Sequence, residues 1–159
     1  MAPRRRKTPE RIVIDDIYNA KILDYAGNIG HTERLSDPDA SAKAHSKLCG
    51  STVTIDLKMD GDVVSDYGQE VKACALGQAS SSIMARCIIG ASAKELRNVR
   101  EQMIAMLKQD GPAPTGRFDD LQYLMPVKDY KARHASTLLV FDAVVDALDQ
   151  IEQKRASAA

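Results

Sequence analysis

Three cysteines and three histidines hold most of the chemistry open to this chain: Cys49, Cys74, Cys87, His31, His45 and His134. Cys49 precedes Gly50 and opens a predicted strand. A thiol in a Gly-containing turn at a strand end is accessible and reactive, with a buried spectator as the competing reading. Cys74 lies between a strand and a helix expected from about Gln78. Free N–H groups and the dipole at a helix N-terminus favour a thiolate. The two thiols are 25 residues apart, which is not the paired CxxC spacing of a zinc knuckle. The interval does fit two loops brought together by a strand meander. Cys87 lies nine residues along the helix from Gln78, about 13–14 Å at 1.5 Å per residue. It is assigned to packing. His45 stands four residues before Cys49, and His134 opens the last helix within Arg133-His134-Ala135-Ser136. Imidazole ligates zinc or iron well; a surface or capping role is the alternative for each. His31 falls in a polar loop and receives no role.

The elements that position these residues follow from periodicity. Ile17, Ala20, Ile22 and Tyr25 predict a short amphipathic helix over 14–26, followed by a turn-rich loop over 27–44. Val53, Ile55, Leu57 and Met59 alternate with Thr52, Thr54, Asp56 and Lys58, the pattern of a half-buried strand. Asp60-Gly61 predicts a two-residue hairpin turn of type I′, with Val63–Val71 as the partner strand. A third strand is expected through Lys72–Ala75. A helix then runs from Gln78 to Ile89 and is broken by Gly90. Ser92-Ala93-Lys94-Glu95 reads as a capping box, opening a helix with Leu96, Val99, Met103 and Leu107 on one face and Gly111 at its C-cap. Residues 111–116 are a loop. The last helix is expected over 137–154, with Leu138, Phe141, Val145, Leu148 and Ile151 inward. Together these predict an α+β fold: a three-stranded antiparallel sheet, a meander, packed against several helices.

Composition bounds the function. A chain of 159 residues, 44% hydrophobic, builds a core without disulfides or structural metal. Its 22 basic and 22 acidic residues cancel, which argues against a general nucleic-acid binder. Aromatics make up 4% with no Trp, so base-stacking platforms are not expected. No apolar run approaches a membrane span. Free thiols point to a reducing compartment, read as cytoplasmic. Residues 1–12 carry Arg4, Arg5, Arg6, Lys7 and Arg11 against Glu10 and read as a disordered basic arm. The domain is placed at 13–155 and a flexible tail at 156–159.

The ordered motifs resemble the U-type iron–sulfur cluster assembly family (IscU, SufU and the N-terminal part of NifU), in its SufU-like branch. DDIYNAKILDYAGNIG is similar to the family's opening helix and turn, LCGSTVTIDLKMDGDVVSDYGQE to its first cysteine loop and hairpin, and VKACALGQASSSIM to its second cysteine motif. ARHASTLLVFDAVVDAL sits where the third cysteine and last helix belong, and residues 92–131 match the longer SufU-type insertion. The resemblance implies a scaffold or carrier, rather than an enzyme, that receives sulfur from a cysteine desulfurase. It implies binding of iron or a labile [2Fe–2S] cluster, with zinc in its place as an alternative, and delivery to recipient apo-proteins. Cys49 and Cys74 are the implied sulfur-handling residues; Cys49, Cys74 and His134 are the implied ligands. The alternatives are a zinc-containing sulfurtransferase and a regulatory paralogue without metal. Two family positions differ: Ser51 replaces an Asp, and Ser136, or Ala135 in a one-residue shift, replaces the third Cys. Leu124-Met125-Pro126-Val127-Lys128 is similar to the stretch through which the IscU branch engages an Hsp70-type chaperone.

Overall fold

The structure, a computed structural model, describes residues 18–158. The basic arm and the first turn expected for the opening helix lie outside the described residues. In chain order the elements are α1 (Ala20–Gly27), β1 (Ala40–His45), β2 (Thr52–Asp60), β3 (Val63–Lys72), α2 (Ala75–Cys87) and α3 (Ala93–Lys108). A stretch of 3₁₀ turns (Gly116–Asp129) and α4 (Lys131–Ala158) complete the chain. The sheet order is β1-β2-β3, antiparallel throughout, as a meander requires. The α+β expectation holds, and so does the inward face of β2: Val53, Ile55 and Leu57 are fully buried while Thr52 and Thr54 are half-buried.

The third strand lies before the hairpin rather than after it. β1 has the sequence ASAKAH, inside the stretch expected to be loop. Alanine carries little strand propensity, so the pattern is silent there. Its small side chains have a packing reason: Ala40 and Ala42 are buried where α4 crosses β1 and β2. At the other edge the chain leaves the sheet at Lys72, the partner of Thr52, because β2 offers nothing further to pair with. The hairpin loop is Gly61-Asp62, flanked by the Asp60–Val63 pair, one residue later than expected. Only Gly61 takes a positive φ, +63°, so the loop meets the requirement of a II′ turn rather than I′.

The capping box is present, with Ser92 Oγ accepting the Glu95 N–H at 3.0 Å and Glu95 returning to the Ser92 N–H. The predicted face of α3 is buried throughout. Its exit differs: Asp110 adopts the left-handed conformation at φ +55°. Gly111 serves close approach, since a Cβ there would lie 3.1 Å from Ala105 Cβ. The last helix begins at Lys131, six residues earlier than expected, and its last turn runs through Ala158. Val144 is buried and Val145 only half-buried on that helix.

The outer face of β2 is not solvated as strand alternation implies. Asp56 is fully buried there, beneath residues 31–37. Arg34 grips it in bidentate fashion, Nε to Oδ2 at 2.6 Å and Nη2 to Oδ1 at 2.9 Å, and the Leu35 N–H donates at 2.9 Å. Ser41 adds a hydroxyl donor. Burial alone pushes the carboxyl up, but Arg34, Ser41 and the Leu35 amide outweigh it and hold it below the usual range.

Candidate functional site

The six residues between β1 and β2 form a tight loop that presents Cys49. The Ser46 N–H donates to the Ser51 carbonyl at 2.9 Å, and the Gly50 N–H donates to the Ser46 carbonyl at 2.9 Å. Gly50 closes the turn at φ +70°, a conformation side chains rarely adopt. Cys49 is exposed, while Ser46 and Ser51 beneath it are buried. Its Sγ lies 3.0 Å from Ser51 Oγ and 3.4 Å from Ser46 Oγ. A thiol has one proton to give; a thiolate accepts from both hydroxyls at once. The Ser46 and Ser51 hydroxyls therefore lower the thiol from 9.0 to about 7 against partial burial, helped by the Ser51 backbone and the Arg133 charge.

Cys74 reaches the same place from another element. It is the N-cap of α2, with extended backbone at φ −65° and ψ 172°, so the helix begins at Ala75 rather than near Gln78. Its N–H donates to Ser51 Oγ at 3.4 Å and its Sγ to Ser136 Oγ at 3.4 Å. Ser51 thus touches both cysteine residues. Ser136 comes from the start of α4, and Gly77 lets it approach. A Cβ on Gly77 would sit 3.2 Å from the Ser136 carbonyl oxygen and 2.7 Å from Ala73 Cβ. Ser136 sends its own proton to the Arg133 carbonyl at 3.2 Å. The residue that meets Cys74 is therefore Ser136. Ala135 instead lines a shallow groove of about 490 Å³ with Leu48, Leu107, Lys108, Lys128, Lys131 and His134.

His134 stands at this end of the molecule but is turned elsewhere. It is buried, and its Nε2 lies 3.0 Å from the carbonyls of both Val127 and Lys128. A ring nitrogen between two acceptors carries the proton, so this contact ties the 3₁₀ stretch to α4. His45 ends β1 and is exposed, and the His31 ring meets Tyr67 edge-on at 6.2 Å between centroids. Cys87 closes α2, about 20 Å along the axis from Cys74. It is half-buried, and burial pushes its thiol up. Among the described residues, no group of three or more His, Cys, Asp or Glu side chains is disposed to hold a metal ion. The chaperone-like stretch is folded into the 3₁₀ turns, with Leu124 and Val127 buried and Lys128 paired to Asp110 at 2.9 Å.

Reasoning from the sequence passed over Ser46, Arg133 and Gly77. The signal for Ser46 was present, since two serines bracket Cys49 within one loop. The contributions of Arg133 and Gly77 depend on where α4 crosses α2, which no local pattern encodes.

The model of the NifU-like N-terminal domain matches residues 17–137, and those residues include both cysteine motifs and the first turns of α4. The chain belongs to this family. A NifU-like N-terminal domain from Brucella abortus, solved by crystallography, has 64% sequence identity and a TM-score of 0.88, covering 89% of this chain and 99% of that one. The iron–sulfur cluster assembly scaffold protein IscU of Thermotoga maritima is 28% identical over 142 residues, 89% of this chain and 99% of its own length. The zinc-dependent sulfurtransferase SufU of Bacillus subtilis is 25% identical over 134 residues, 82% of this chain and 88% of its own. The NifU-like domain therefore accounts for most of the chain, and its two cysteine motifs are the elements that meet at Ser51. No described helix of this NifU-like chain is long and apolar enough to cross a membrane.

Proposed function

We propose that this protein acts in iron–sulfur cluster assembly, receiving sulfur from a cysteine desulfurase at the Cys49–Cys74 site and passing it on toward recipient apo-proteins. The observation that carries the reading is the convergence of two thiol-bearing elements on one buried hydroxyl, Ser51, with Cys49 exposed and its thiol lowered to about 7. Sulfur exchange needs an accessible thiolate, and Cys49 supplies one near neutral pH. Family membership and the scaffold and sulfurtransferase relatives support the same reading. A reducing, cytoplasmic setting suits such thiols.

The relatives' names speak of clusters and of zinc. A tetrahedral zinc ion or a [2Fe–2S] cluster asks for four protein donors, mostly thiolate. The site offers two thiols, neutral serine hydroxyls, and a histidine whose Nε2 is held by two carbonyls. The set does not fit either group as a resident of a single chain. A sulfurtransferase that works without a resident zinc ion is the second reading that this donor set favours.

The experiment mixes the protein anaerobically with a cysteine desulfurase and cysteine, then adds ferrous iron and an apo-ferredoxin. Sulfur appearing on the protein, with faster ferredoxin reconstitution that Cys49→Ser abolishes, is the expected result. A protein that acquires no sulfur and leaves reconstitution unchanged refutes the function.

A further inference from the structure

The substitutions at the site follow one chemical direction. Position 51, where the resemblance implies a carboxylate, holds a buried serine whose hydroxyl accepts the Cys74 N–H. Position 136, beside Cys74, holds a serine that gives its proton to the Arg133 carbonyl. A serine ligates a metal strongly only as an alkoxide, and both hydroxyls are neutral donors far weaker than the thiolate or carboxylate that the resemblance implies. His134 is buried, and releasing its Nε2 breaks contacts to two carbonyls. The cation Arg133 also acts on Cys49, and a positive charge there repels a metal ion and favours an anionic sulfur. Of the two thiols, Cys49 is exposed and Cys74 half-buried, so a partner's persulfide meets Cys49 first.

We propose that this chain carries sulfur as a persulfide on Cys49 and retains no metal at the Cys49–Cys74 pair. The proposal rests on the sulfur-handling function above and goes beyond it by separating sulfur from metal. In the step, the Cys49 thiolate attacks the outer sulfur of a protein persulfide on the donor. A bond forms between Cys49 Sγ and that sulfur, and the donor's S–S bond breaks. Its electron pair leaves on the donor thiolate while the transferred sulfur keeps its proton. The sulfur passes between thiols without an added oxidant or reductant, as in thiol–disulfide exchange.

The test uses the full chain, purified anaerobically. One arm adds zinc or ferrous ion, removes the excess by desalting, and measures metal per chain. The other adds desulfurase and cysteine, with and without a chelator, and reads the mass of one added sulfur. The wild type should retain only traces of metal and take up sulfur equally with chelator present. Cys49→Ser should lose the added sulfur and Cys87→Ser should keep it. Ser136→Cys should raise retained zinc from traces toward one ion per chain and give cobalt–thiolate absorption that the wild type lacks. Should that variant fail to fold, cobalt titration of the wild type decides alone. Near-stoichiometric metal on the wild type, sulfur uptake abolished by chelation, sulfur found on Cys74 instead, or a folded Ser136→Cys that stays metal-poor overturns the proposal. Sulfur uptake together with retained metal overturns it and leaves the proposed function standing. Uptake of neither removes the function itself.

Discussion

Replacing Ser51 by alanine should make Cys49 a slower nucleophile at neutral pH. Ser51 Oγ lies 3.0 Å from Cys49 Sγ and is one of two hydroxyls that, with the Ser51 backbone and Arg133, bring the thiol from 9.0 to about 7. Because Cys49 is exposed, water replaces part of any lost donor, so the variant should recover about one pH unit of that lowering. At pH 7 the thiolate fraction then falls from about one half to roughly one tenth, a fivefold slower alkylation. The assay is the rate of iodoacetamide modification of Cys49 across pH 5–10, followed by mass spectrometry of the Cys49 peptide. Ser136→Ala is the control: it touches Cys74 and not Cys49, so its Cys49 profile should match the wild type. The same Ser51 substitution leaves the Cys74 N–H without its acceptor, at about 1–3 kcal/mol, so thermal unfolding separates loss of fold from loss of reactivity. A folded Ser51→Ala with an unchanged alkylation midpoint would refute the hydroxyl account of Cys49.

Gly77→Ala places a methyl group 3.2 Å from the Ser136 carbonyl oxygen and 2.7 Å from Ala73 Cβ, and should cost about 1–3 kcal/mol, read as a lower Tm. Asp56→Asn removes the buried charge that Arg34 grips and leaves that half-exposed guanidinium only Glu70 at 4.0 Å, so it should cost about 1–2 kcal/mol at pH 7 in urea unfolding. Because the folded Asp56 carboxyl sits below its unfolded value, its stabilisation is present above about pH 4 and is lost as pH falls through the lowered value. Acid unfolding of Asp56→Asn should therefore show a shallower pH dependence than the wild type in that window. Ser92→Ala removes the N-cap of α3 and should cost about 1 kcal/mol in the same denaturant assay, without changing Cys49 alkylation.

Where a side chain's role is decided within a few residues, the sequence was legible. The alternation from Val53 to Leu57 fixed which face of β2 is inside, because a one-residue slip would bury the threonines. The capping box at Ser92 was equally local. β1 escaped because its alanines carry no strand signature and are chosen for the helix that crosses them, a contact between residues about a hundred positions apart. Asp56 escaped for a related reason. Its place on the outward face reads as solvated until a loop some twenty residues upstream folds over it.

The site follows the same division. Cys49 and Cys74 were recognisable from their own motifs, and the spacing of a meander sufficed to expect them near each other. What surrounds them comes from three separate elements, and only assembly reveals that Ser51 bridges the pair while Ser136 faces Cys74. Assembly also turns His134 toward the carbonyls of Val127 and Lys128. This matters for function because sulfur transfer and metal retention demand different things of the same two thiols. Transfer needs one exposed thiolate with donors that stabilise its charge, and the Cys49 loop provides those donors while Arg133 adds its charge. Retention needs further anionic ligands delivered by α4, and at that position α4 delivers a hydroxyl whose proton is already engaged. A chain can therefore lose the second capacity through a substitution at position 136 while the loop that serves the first stays intact.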